Sequence, residues 1–270
     1  MVDTTTAAAV WTPGTVAAGG ERRLRYWEAG RGTPLVILHG GGGVDLAPAY
    51  ERLALQARVI CLELPGFGEP TLQEPAPPTT FPEVASTVIE ATAELGMDRF
   101  SLLGVSFGGA TAAWLATRRP ELLKRLILVA PAALRAGGAL PRLGPDEIAR
   151  ALRAHPERGG SEAPAPEVAE RRLAYVDSVL STADKDGLRA ALDGLDIPSM
   201  IVFGTRDGLI PPETGREYRR LIPRSDLVYV YDAAHEVARD RPEAFAELVG
   251  DFLERGEAHV VDRRDRLINP

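Results

Sequence analysis

The pentapeptide Gly104-Val105-Ser106-Phe107-Gly108 reads G-x-S-x-G, and Gly109-Ala110 follow it. A serine becomes a usable nucleophile when a tight strand-to-helix turn projects its hydroxyl. Such a turn crowds the positions two residues away on either side, so small residues belong there. Gly and Ser are common, so the pentapeptide alone says little and its flanks decide. Here it follows the apolar run Phe100-Ser101-Leu102-Leu103 and opens the Ala-rich stretch Phe107 to Thr117. Those are the strand and the helix that the turn requires.

A hydroxyl is a weak nucleophile at neutral pH unless a base stands beside it. The chain has four histidines. His259 lies in a polar tail and His155 beside Pro156, while His39 ends the run Leu35 to Leu38. His235, in Ala233-Ala234-His235-Glu236, follows the last strand-like run and satisfies the order Ser, acid, His in which this kind of turn is used. The orienting carboxylate is Asp207, which follows Met200 to Phe203 and so sits at the carboxyl end of a strand, where open α/β sheets gather their sites. Asp226 begins its strand at the wrong end, and Asp232 lies too close along the chain to face the imidazole. A tetrahedral oxyanion needs two N–H donors. Gly41, in His39-Gly40-Gly41-Gly42-Gly43, pairs with Phe107, with Gly42 in reserve.

Six short apolar runs can position these groups: 34–38, 58–62, 100–103, 125–129, 199–203 and 227–231. Continuous hydrophobicity marks strands covered on both faces, as in a parallel sheet. Helical patterns between them, such as Phe81 to Leu95, predict an α/β doubly wound sheet. Arg23 to Trp27 alternates and suits an outer antiparallel strand. From Leu134 to Asp196 the strands stop. Gly137-Gly138 open this stretch, Pro156 to Pro166 divide it, and helices are expected at Asp146 to Ala154, Glu167 to Leu180 and Leu188 to Leu195. An insertion of this kind reads as a helical cap over the carboxyl ends of the strands. The expected organisation is a core of 21–133 and 197–255, a cap of 134–196, and tails of 1–20 and 256–270.

Composition narrows the function classes. The 270 residues are 45% hydrophobic and 26% charged, with a net charge of −7 and a mean hydropathy of −0.07. No basic surface is concentrated enough for a nucleic acid. The single Cys61 excludes an internal disulfide, and its apolar flanks make it a core residue rather than a nucleophile. The glycine run lacks G-x-x-x-x-G-K-[ST] and G-x-G-x-x-G, so no nucleotide cofactor is expected, and no metal. No signal peptide or membrane span is read, so the expectation is a cytoplasmic protein whose partner is a small-molecule substrate, with no nucleic acid and no membrane.

Taken together these pieces resemble the α/β-hydrolase superfamily from about Arg23 to Leu253. Glu63-Leu64-Pro65-Gly66-Phe67-Gly68 is similar to its D-x-x-G-x-G turn, with Glu63 for Asp and Pro70 where Ser is frequent. Asp207 to Pro211 is similar to its D-x-x-x-P, and His235 to Pro242 to its H-x4-E-x-P, with Ala234 in place of the common Gly. The resemblance implies an acyl-enzyme hydrolase, and the Ala- and Leu-rich cap suggests a small-to-medium, largely apolar substrate, with a carboxylic ester foremost. Haloalkane dehalogenases and epoxide hydrolases carry Asp where Ser106 stands. Carbon–carbon bond hydrolases of ring-cleavage dienoates share the H-G-G-G and the serine turn, and are the alternative. They continue the glycine run with Pro-Gly and follow the histidine with an aromatic, where this chain has Gly43-Val44 and Glu236. A non-catalytic small-molecule receptor on the same fold is a third reading.

Overall fold

A computed structural model describes residues 9–68, 76–135, 145–159 and 164–257. Pro70, Gly137-Gly138 and His259 lie outside the described residues. The strands are β1 (Thr12–Ala17), β2 (Arg23–Ala29), β3 (Pro34–Leu38), β4 (Arg58–Leu62), β5 (Phe100–Val105), β6 (Leu123–Val129), β7 (Ser199–Gly204) and β8 (Ser225–Val230). They form one sheet in the order β1-β2-β4-β3-β5-β6-β7-β8, with β3 to β8 parallel and β2 antiparallel to both neighbours. All six apolar runs are strands: those in β3 to β7 are buried on both faces, whereas β8, at the edge of the sheet, is only half-buried. Leu35, Ile37, Val59, Cys61, Ile127 and Val202 face one layer, formed by α1 (Pro48–Leu53) and, late in the chain, α9 (Pro242–Arg255). Val36, Leu38, Ile60, Leu102, Leu128 and Phe203 face the other, with α2 (Phe81–Glu94) and α3 (Phe107–Arg118). Helix α2 starts at a capping box, in which Thr80 and Glu83 each satisfy the other's backbone N–H.

Two boundaries differ from the sequence reading. Residues 12–17, read as tail, are edge strand β1. Only Val16 is buried there, and Pro13 and Gly14 are tolerated because an edge leaves one side of the ladder open. Gly14 also makes room for the Tyr26 ring, which would lie 2.4 Å from an added Cβ. Glu257, also read as tail, pairs with Arg224. The insertion contributes α4 (Pro145–Leu152), α5 (Pro166–Ser181) and α6 (Lys185–Leu192). The last of these buries Leu188 and Leu192 beside α3, on the path of the chain from β6 to β7. Helices α7 (Thr214–Leu221) and α8 (Val237–Asp240) complete the chain. Among the described residues no helix is long and apolar enough to cross a membrane.

The topology locates a crevice. Strand β3 is followed in sequence by β4 on one side, and the chain returns to β5 on the other. The loops leaving β3 and β5 therefore diverge, and ligands of open α/β sheets bind at such a switch point. His39-Gly40-Gly41 leave β3 there, and Ser106 leaves β5.

Candidate active site

Ser106 stands between β5 and α3 with φ 52° and ψ −109°, a left-handed conformation for a residue with a Cβ. Its neighbours explain why the chain accepts this. The Ser106 N–H donates to Val129 O at 2.9 Å, and Ser106 O accepts from Ala110 and Ala132 at 3.0 and 3.1 Å. A Cβ on Gly104 would meet Gly108 O at 2.3 Å, and one on Gly108 would meet Leu38 O at 2.3 Å and His39 O at 2.5 Å. The two glycines of the pentapeptide are thus required by backbone packing, one against helix α3 and one against the end of β3.

His235 and Asp207 come together across 28 residues. The His235 Nδ1–H donates to Asp207 Oδ2 at 2.8 Å, which leaves the other ring nitrogen, Nε2, with its lone pair. The second carboxylate oxygen of Asp207 accepts from the Leu209 and Ile210 N–H groups, both at 2.9 Å, so the acid is locked. Both side chains are buried. Burial works against a charged imidazole, but the charge and hydrogen bond of Asp207, with the charge of Glu236, outweigh it and raise the His235 pKa. The rivals are occupied elsewhere: Asp232 accepts from Arg206 and pairs with His155, while Asp226 lies at the start of β8.

The glycine loop is held from below and above. His39 is buried; its Nε2 accepts from the Leu64 N–H at 2.9 Å, so its proton sits on Nδ1 and donates to Gly40 O at 2.7 Å. Burial lowers its pKa to about 4, so the ring is neutral. From above, Arg172 of α5 donates to Gly42 O at 2.7 Å and to Phe67 O at 3.1 Å, and Val176 covers Gly41. The Gly41 N–H has no acceptor among the described residues, and the Phe107 N–H opens α3, where no intrahelical acceptor exists. Both are free for a ligand.

The insertion is fastened to the loops that carry Asp207 and His235. The Glu236 N–H donates to Leu152 O at 2.9 Å, and Arg153 pairs with Glu236. Asp240, fully buried, accepts from Ala234 at 2.7 Å, Ala154 at 2.9 Å and His155 at 3.0 Å. His39, Arg172 and Asp240 escaped the sequence reading as site residues, since each holds backbone amides or carbonyls, several of them far away along the chain. Only the H-x4-D-x-P spacing hinted at Asp240.

Ser106, His235, Gly41, Gly42 and Phe107 all line one cavity of about 610 Å³, roofed by Ile148, Leu152, Leu173 and Val176 of the insertion. The model of the alpha/beta hydrolase family fits residues 35–248. The chain belongs to that family. It is a hydrolase. It is 29% identical over 248 residues to a pimeloyl-[acyl-carrier protein] methyl ester esterase of Neisseria meningitidis, covering 82% of this chain and 92% of that one. It is 28% identical over 281 residues to a 2-hydroxymuconate semialdehyde hydrolase of a Pseudomonas species, covering 91% and 95%. Among solved structures, a 2-hydroxy-6-oxo-6-phenylhexa-2,4-dienoate hydrolase from a Rhodococcus species superposes with a TM-score of 0.73 at 19% identity, covering 91% of this chain and 99% of that one. At that identity the likeness concerns the fold.

Proposed function

We propose that the protein hydrolyses small-to-medium, largely apolar carboxylic esters through an acyl-enzyme on Ser106. The observation that carries this reading is the opening of Ser106, the Asp207-anchored His235 and the unpaired Gly41 and Phe107 amides into a single cavity. As Ser106 Oγ attacks the acyl carbon, His235 Nε2 takes its proton and Asp207 stabilises the imidazolium. The Gly41 and Phe107 N–H groups hold the oxyanion, with Gly42 in reserve; each such donor contributes roughly 3–4 kcal/mol to the transition state. Collapse expels the alcohol, which takes the proton from His235. A water deprotonated by His235 then attacks the acyl carbon and frees the acid and Ser106.

The cavity volume falls in the range for small ligands, and its walls are mostly apolar. The Neisseria relative is named as a methyl ester esterase, which favours an ester substrate. The test is a panel of p-nitrophenyl esters of increasing acyl length: turnover that peaks at short-to-medium chains and vanishes in Ser106→Ala supports the reading. Ligand-dependent stabilisation without turnover supports the receptor reading instead.

A second reading, carbon–carbon hydrolysis, draws on the Pseudomonas and Rhodococcus relatives. Against it stands Glu236, which follows the base where an aromatic is usual and is bound by Arg153. Bleaching of a coloured ring-cleavage dienoate at a rate exceeding that on any ester decides for this second reading.

A further inference from the structure

The cavity has a polar end that the ester mechanism leaves unused. Below the glycine loop, on the α1 side, it is lined by Ile37, Cys61, Val237 and Ala238, and by the hydroxyl-bearing ring of Tyr50. Tyr50 is 5% exposed, yet its phenol oxygen has no hydrogen-bond partner among the described residues. A ligand that covers this hydroxyl without pairing it costs about 1–3 kcal/mol, since Tyr hydroxyls normally find a partner when buried. Facing the cavity rather than sealed protein, this one is satisfied only by what enters.

The surroundings specify the chemistry. Asp45 and Arg239 also line this end and form a two-pronged ion pair, with Arg239 Nε 2.6 Å from Asp45 Oδ2. Glu236 is paired with Arg153. Each charge here already has its counter-charge, so no unmatched cation waits for a carboxylate and no unmatched anion for an ammonium. Burial, with the negative charges of Asp45 and Glu236, holds the phenol protonated well above its ordinary range. It is therefore a hydrogen-bond donor.

We infer that this end of the cavity is a second polar subsite, in which the Tyr50 hydroxyl donates to a neutral oxygen acceptor (keto, hydroxyl or ether) carried by the ester at a distance from the scissile bond. The inference rests on the ester-hydrolase reading and deepens it. The substrate class becomes an oxygen-substituted ester rather than a plain hydrocarbon one. Tyr50 then acts in selection: an ester lacking the oxygen leaves the hydroxyl buried and unpaired, which is how polar pockets reject such analogues.

The experiment compares kcat/KM for matched ester pairs that differ by one keto oxygen, placed at successive carbons of the acyl chain in one series and of the alcohol in the other. Each pair is run on the wild type and on Tyr50→Phe. Ratios within one protein sample cancel any difference in folded fraction. At the best position the wild type should favour the oxygen-bearing ester by about ten- to a hundredfold. Tyr50→Phe should bring that ratio to about one, and the responding series shows which half of the ester the subsite holds. Turnover of esters with a flat ratio in the wild type, or an equal preference in both proteins, overturns the subsite alone. Absence of turnover on every ester sinks the ester reading and the subsite with it.

Discussion

Replacing His39 by Gln removes a titrating group from beneath the glycine loop while leaving an acceptor for the Leu64 amide. In the folded protein the ring accepts from Leu64 and donates to Gly40, an arrangement open only to the neutral imidazole. Burial accordingly lowers its pKa from 6.5 to about 4. In the unfolded chain the ring titrates at about 6.5, so between these values the unfolded state binds the extra proton. A depressed folded pKa contributes stability that is complete above about pH 6.5 and is lost as the pH falls towards 4. Linkage makes the loss about 2 kcal/mol at pH 5 and about 3 kcal/mol at pH 4. Urea unfolding of wild type and His39→Gln at several values from about pH 7.5 to 4 isolates this from the carboxylates that both proteins share. The wild-type advantage should shrink by about 2 kcal/mol between pH 7 and pH 5. Parallel curves would refute the assignment of a neutral, backbone-bonded His39.

Other substitutions test neighbouring parts of the account. Gly108→Ala places a Cβ 2.3 Å from Leu38 O, so it should cost about 3 kcal/mol in denaturant melts. Gly42→Ala, with open space around its Cβ, should stay within about 0.5 kcal/mol of wild type. Asp240→Ala deprives three backbone N–H groups of their acceptor and should cost about 3–5 kcal/mol, with faster amide exchange at Ala154 and His155 as its local signature. In pH–rate profiles, His235 must be neutral to accept the Ser106 proton, so kcat/KM should fall on the acid side through an apparent pKa above the ordinary histidine value. Asp207→Asn removes the main cause of that elevation. It should move the limb down and lower kcat by on the order of ten-thousandfold; a limb that does not move contradicts the pairing.

Much of the fold was readable because five strands are buried on both faces and so carry unbroken apolar runs, as in Leu35 to Leu38 and Met200 to Phe203. Where burial is one-sided the signal fades: β1 buries only Val16 of its six residues. Tyr231 sits just past β8 at 79% exposure, although its sequence neighbours extend the run. The pentapeptide around Ser106 was legible because backbone crowding at Gly104 and Gly108 leaves a mark in residue type. His39, Arg172 and Asp240 leave no such mark, since each acts through a carbonyl or amide that any residue could supply. The packing of α6 on α3 was not legible for a related reason. A helix beside the sheet and a helix over it have the same periodicity, and packing on α3 is what separates them.

The account stands on Ser106 as the nucleophile, and covalent chemistry tests that most directly. Wild-type protein mixed with an activated ester, quenched within the first turnover and digested, should carry one acyl group on the peptide containing Ser106. The same experiment on Ser106→Ala should yield no acylated peptide and no burst of released alcohol. Acylation of another residue, or steady turnover by Ser106→Ala at the wild-type rate, contradicts the account.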